Sequence, residues 1–197
     1  MMRIFREKYS QLSDEQLMTY LEKGDKPAFD ELYTRYARIM TGYFRRMLWN
    51  DQEKAEDFVH DLFAKIIRKP DAFDPSRTFK TWFFSVANNM CKNEYKKQEI
   101  RKGTVNGLDE SYSVRDTQTN VMDEVQDRFF GQAFEHHLDR LDKKHSEVFR
   151  LRHLEGLSIK EIAEVLSANE GTVKSRLFYA TKYLADSLKE FNPVLNR

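Results

Sequence analysis

Lys174, Ser175 and Arg176 stand side by side within Leu157 to Leu177, LSIKEIAEVLSANEGTVKSRL. An ammonium, a hydroxyl and a guanidinium in a row are donors that bind phosphates and the edges of bases. The flanking residues predict what positions them. Ser158 and Glu161 are spaced as a capping box, so a helix starts at Ile159 and buries Ile162, Ala163 and Leu166. Ser167, Ala168 and Asn169 form the turn, Asn169 caps the next helix, and Val173, Leu177 and Ala180 point inward. Glu170, Thr172, Lys174, Ser175 and Arg176 are then outward, and small Ala163 lets the two helices approach. The pattern is a helix-turn-helix whose second helix suits the DNA major groove. A helical hairpin with a solvated polar face has the same periodicity.

A second chemically loaded segment runs from Phe73 to Lys97, FDPSRTFKTWFFSVANNMCKNEYKK. Helical spacing predicts a buried face of Phe79, Phe83, Val86, Ala87 and Met90. Thr81, Ser85, Asn88, Asn89, Lys92, Asn93 and Lys96 fall on the other side. Asn amides read base edges and Lys neutralises phosphate, while Trp82 and Phe84 are either stacking surfaces for unpaired bases or core residues. A third segment presents Glu56, Asp57, His60, Asp61 and Lys65 together. Its acidic side chains repel DNA, which leaves a basic protein partner or a plain solvated face. No companion ligands or paired catalytic carboxylates accompany it, so no metal, cofactor, small-molecule substrate or catalytic residue is expected.

The remaining composition narrows the class. One cysteine among 197 residues excludes an internal disulfide and a cysteine-rich zinc site, and fits a reducing compartment. The charged first ten residues lack an apolar signal core and no stretch approaches a membrane span, so a cytoplasmic protein without membrane insertion is expected. The net charge is only +1, with a slight basic excess at both ends and an acidic middle. Weak basicity implies weak DNA affinity for the chain alone, because phosphate neutralisation drives most non-specific binding.

The predicted fold is all-α, with two helical domains joined by a flexible linker. Ser13 with Gln16 opens a first helix, Leu12 and Leu17 are placed as a hydrophobic staple, and Gly24 closes it. A second helix starts at Pro27 and runs toward Leu48. Asn50 and Asp51 turn the chain into a third, Gln52 to Arg68, stopped by Pro70, and a fourth covers Phe79 to Lys97. Apolar periodicity is lost from Glu99 to about Val125 and returns at Phe129, Phe130, Phe134, Leu138 and Leu141, followed by a helix from Lys143 to Leu154 that Gly156 ends. The expected boundaries are an N-terminal domain at 1–98, an acidic linker at 99–128 and a helix-turn-helix domain at 129–197.

In this order the parts resemble a bacterial RNA polymerase sigma factor of the extracytoplasmic-function (ECF) type, over Leu12 to Gln98 and Phe134 to Leu188. AEDFVHDLFAKI, Ala55 to Ile66, resembles the segment that binds the β′ clamp helices of core polymerase, which implies a contact at Asp57, His60 and Asp61. FKTWFFSVANNMCKNEY resembles the helix that melts and reads the minus-ten element, and Phe73 to Phe79 the loop that accepts a flipped base. The resemblance implies minus-ten contacts at Phe73, Arg77, Lys80, Trp82, Phe84, Asn88, Asn89, Lys92 and Asn93. VFRLRHLEGLSIKEIAEVLSANEGTVKSRL resembles the minus-thirty-five reader and implies contacts at Thr172, Lys174, Ser175, Arg176 and Phe178. The chain departs from the family pattern with His60 for Gln, Ser85 for Arg, Ser167 for Gly and Tyr179 for Arg. Ser167 must then adopt a geometry that glycine reaches more cheaply, by about 1 kcal/mol.

The resemblance implies a non-enzymatic factor whose partners are core RNA polymerase (β′ clamp helices and β flap), promoter DNA and an anti-sigma factor. Two weak DNA-binding modules on one tether suffice together because the second contact becomes intramolecular. The alternative is an autonomous dimeric helix-turn-helix regulator, which requires tight DNA binding without polymerase.

Overall fold

The computed structural model describes residues 9–104 and 122–191. They form α1 (Asp14–Glu22), α2 (Lys26–Met47), α3 (Gln52–Arg68), a 3-10 turn (Pro70–Ala72), α4 (Phe79–Thr104), α5 (Met122–Arg140), α6 (Lys143–His153), α7 (Ile159–Leu166), α8 (Glu170–Ser187) and a 3-10 turn (Lys189–Phe191). No strand occurs among the described residues, so the all-α class holds. The chain forms two compact units, an N-terminal one built from α1 to α4 together with Glu164–Ser167 and a C-terminal one built from the rest of the chain after residue 104.

Local chemistry starts and stops the N-terminal helices. At α1 the Gln16 amide donates to Ser13 Oγ at 3.2 Å and the Ser13 amide to Gln16 Oε1 at 2.9 Å, which completes the capping box. Gly24 follows with φ +81°, a left-handed conformation that costs glycine nothing. Asp25 and Asp51 cap α2 and α3 by accepting from the amides of Ala28 (3.2 Å) and Lys54 (3.0 Å). The turn between α2 and α3 departs from expectation, because Trp49 is left-handed as well as Asn50, with φ of 59° and 58°. Tyr95 meets the Trp49 ring edge-on at 5.3 Å and Lys54 Nζ lies 5.4 Å from its centroid. Those contacts offset a conformation that bulky side chains otherwise avoid.

Aromatic rings dominate the N-terminal core. Phe83, with no exposed surface, stacks on Phe79 at 5.1 Å and takes edge contacts from Tyr36 at 5.3 Å and Phe63 at 5.4 Å. Phe84 faces the other way and meets Tyr43 at 5.3 Å, while Cys91, the chain's one cysteine, is fully buried. Helix α4 is thus gripped on more than one side and continues to Thr104, through the start of the segment expected to be linker. Residues 105–121 of that segment lie outside the described residues.

In the C-terminal unit, Leu138 of α5, Phe149 of α6, and Ala180 and Leu184 of α8 form a core to which Phe134, Leu141, Leu177, Tyr183 and Leu188 add. Phe129 and Phe130, by contrast, remain exposed. Arg150 of α6 is buried and bonds Asp139 at 2.7 Å and Glu135 at 3.2 Å, both on α5. Burying a guanidinium is costly, and two carboxylates on the neighbouring helix compensate it while fixing the register of α5 against α6.

Candidate nucleic-acid and polymerase interface

The second helix of the predicted helix-turn-helix is α8, and its entry is set by three close contacts. Ser158 and Glu161 exchange the hydrogen bonds of the expected capping box, at 2.8 and 3.2 Å, and so begin α7. Ser167 then takes φ +52°, the left-handed turn that its position requires. Asn169 Oδ1 accepts from the Thr172 amide at 2.7 Å, and a Cβ on Gly171 would sit 3.3 Å from that oxygen, so Gly171 leaves the cap its room. Val173 and Ala180 are buried and Leu177 is partly so, which turns Lys174, Ser175 and Phe178 to the surface, with Thr172 and Arg176 half-exposed at its flank. Lys174 lies 3.8 Å from Glu170, a loose pair between exposed groups that screening leaves weak.

Ser167→Gly removes a left-handed penalty of about 1 kcal/mol and adds about 0.5 kcal/mol of backbone entropy to the unfolded chain. A net stabilisation of about 0.5 kcal/mol is expected in the helix-turn-helix, read from hydrogen exchange of the α7 and α8 amides in the intact chain.

On α4 the structure redraws part of the predicted face. Asn89 and Asn93 are exposed, and Ser85 and Lys92 are half-buried along the same stripe. Thr81 and Asn88, expected outside, are buried, and Phe84 is a core ring rather than a stacking surface. The reason is packing around more of the circumference than a single apolar stripe allows, with residues 79, 81, 83, 84, 87, 88 and 91 all buried.

The loop before α4 is tied at several points. Phe73, also buried, packs on Trp82 at 5.2 Å and on Phe79 at 5.6 Å, so it forms the floor of the loop and Trp82 its half-exposed wall. Asp74 Oδ1 accepts from the Ser76 amide at 2.9 Å and its carbonyl from the Arg77 amide at 3.0 Å. Those bonds from Ser76, backbone first, hold the Asp74 carboxyl below the ordinary aspartate value. Arg77 is exposed beside the loop and Lys80 is half-exposed at the start of α4.

One residue of this site had no sequence signal. Glu15 of α1 accepts from the Phe79 amide at 2.9 Å, across 64 residues of chain, and caps α4 from outside. Partial burial alone would raise the Glu15 carboxyl, but the hydrogen bonds it accepts, with the Phe79 amide foremost, hold it below the ordinary glutamate value.

On α3, Val59, Leu62, Phe63 and Ile66 are buried, while Asp57, His60 and Asp61 are exposed on the opposite side together with Glu56 and Lys65. Asp57 and Asp61, one turn apart, make no ion pair among the described residues. Among those residues, too, no group of three His, Cys, Asp or Glu is arranged to hold a metal, and no helix is long and apolar enough to cross a membrane.

Comparison with known proteins fits this geometry. The family described as Sigma-70 region 2 matches residues 32–100, and that described as Sigma-70, region 4 matches residues 131–184. The chain is 30% identical over 187 residues to the ECF RNA polymerase sigma-E factor of Haemophilus influenzae, covering 91% of this chain and 97% of the relative. It is 31% identical over 160 residues to the ECF RNA polymerase sigma factor SigL of Mycobacterium tuberculosis, covering 81% and 88%. Among solved structures it shares the fold of the sigma factor RpoE of Bartonella quintana, determined with the anti-sigma factor NepR. That match has a TM-score of 0.67 at 23% identity and covers 82% of this chain and 96% of the other. It also shares the fold of CnrH in complex with the cytosolic domain of CnrY, with a TM-score of 0.66 at 23% identity, covering 90% and 97%.

Proposed function

The chain belongs to the extracytoplasmic-function family of RNA polymerase sigma factors, and from that premise we propose how its residues divide the work of initiation. As a sigma factor it is not an enzyme. It associates with core RNA polymerase and directs initiation at promoter DNA. The autonomous-regulator alternative is not favoured, because both sigma regions match in order along one chain.

In the proposed division, the exposed α3 face of Asp57, His60 and Asp61 docks on the β′ clamp helices, and the C-terminal unit engages the β flap. The α4 face of Asn89, Lys92 and Asn93, with Arg77, Lys80 and Trp82 around the loop floored by Phe73, receives the minus-ten element as its bases unstack. Unstacking costs a few kcal/mol per base, and a preformed aromatic and amide surface offsets it. Thr172, Lys174, Ser175, Arg176 and Phe178 of α8 read the minus-thirty-five element from the major groove. An anti-sigma factor is the expected regulator, and the Bartonella relative solved with one supports that reading. The work is done in the cytoplasm, where the polymerase is.

The observation that carries the proposal is the pairing of an amide-rich α4 stripe with a fully capped helix-turn-helix in one chain. It is tested by adding the protein to sigma-free core polymerase on a promoter library and sequencing the transcripts. Specific starts that share two spaced upstream elements are the expected result. No transcripts, with tight duplex binding by the protein alone, would return the regulator reading.

A further inference from the structure

We propose that Glu15 is a positioning residue for promoter opening, holding the amino end of α4 and its preceding loop in the geometry that receives unpaired bases. The inference rests on the minus-ten reading of α4 given above. The first four amides of a helix have no partner within it, and at α4 the Phe79 amide belongs to a residue with no exposed surface. Glu15 Oε1 meets that amide at 2.9 Å from another helix. A carboxylate there also sits favourably at the positive end of a long helix dipole.

The carboxylate is itself held in place. Its helix is opened by the Ser13 and Gln16 capping box, and neighbouring Asp14 binds Arg35 at 2.7 Å and accepts from the Tyr36 hydroxyl. Arg35 also bonds Glu31 at 2.8 Å and the carbonyl oxygens of Tyr9, Ser10 and Leu12. Asp14 and Glu15, adjacent in sequence, thus reach to α2 and α4 respectively, and α1 acts as a brace between them. The loop from Phe73 to Phe79 is anchored at one end by the Phe73 ring under Trp82 and at the other by Glu15. A base-accepting loop works only when its walls are pre-placed, and Glu15 is the tie at its helical end.

The test uses the reconstituted holoenzyme and its promoter, with 2-aminopurine at a nontemplate position of the minus-ten element. Losing one cap is equivalent to about 1 kcal/mol, or about fivefold in rate at 1.4 kcal/mol per decade. Glu15→Ala is expected to slow the rise in 2-aminopurine fluorescence about fivefold, while the half-saturating holoenzyme concentration changes less than about twofold. Glu15→Gln, whose amide oxygen still accepts, is expected within about twofold of wild type. Asp25→Ala is the control, because it removes the α2 cap and the Tyr9 hydroxyl bond without touching α4.

The proposal is overturned if Glu15→Ala opens promoters at the wild-type rate, or if Asp25→Ala slows opening as much. Failure of the wild-type holoenzyme to unstack the probe is a separate result. It would overturn the base-holding reading of α4 and this proposal with it.

Discussion

Replacing Asp57 and Asp61 together by arginine is expected to weaken association with core RNA polymerase about 100-fold, close to 3 kcal/mol, and to abolish sigma-dependent transcription. Both carboxylates are exposed on α3 and make no ion pair among the described residues, so the substitutions break nothing inside the protein. Exposed substitutions of this kind change stability by no more than about 0.5 kcal/mol each. An arginine pair facing a basic partner replaces attraction with repulsion and leaves charges without partners at the contact. Surface-immobilised core polymerase gives the affinity, and circular dichroism gives the control that the helices persist. Unchanged affinity would remove this face from the proposed polymerase contact.

Phe83→Ala is expected to cost the N-terminal unit about 3–5 kcal/mol, a large part of the total stability of an ordinary domain. The ring is fully buried and touches Tyr36, Phe63 and Phe79, which come from α2, α3 and α4, so its loss opens a cavity where three helices meet. Phe83→Leu keeps most of the volume and is expected to cost about 1–1.5 kcal/mol. Both tryptophans, Trp49 and Trp82, belong to this unit, so tryptophan fluorescence in urea reads its unfolding without interference from the C-terminal unit. A cost below about 1 kcal/mol for the alanine variant would mean that the three helices close over the gap.

What was legible in the sequence was what is decided within a few residues. The capping pairs at Ser13 and Ser158 and the caps at Asp51 and Asn169 follow from short spacings, the strained turn at Ser167 follows from the family resemblance, and each is found in the structure. The acidic face of α3 was equally visible, because that helix packs on one side only. Helix α4 misled for the opposite reason. Packed on several sides, it buries Thr81 and Asn88, which a two-faced pattern turns outward, and it takes Phe84 into the core, the second of the two roles its position allows. Glu15 was invisible because its partner lies 64 residues away, and no local spacing announces a cap supplied by another helix. The left-handed Trp49 has no local signal either, because its compensation comes from Tyr95, also remote in sequence.

The burial of Cys91 has a practical consequence. With its one thiol fully enclosed, the native chain offers a maleimide nothing to react with while it stays folded. A cysteine introduced at exposed Asn93 or Ser175 therefore becomes a single addressable handle. Fluorophores or cleavage reagents attached there would report the path of each DNA strand across the protein without first stripping the chain of its own sulfur.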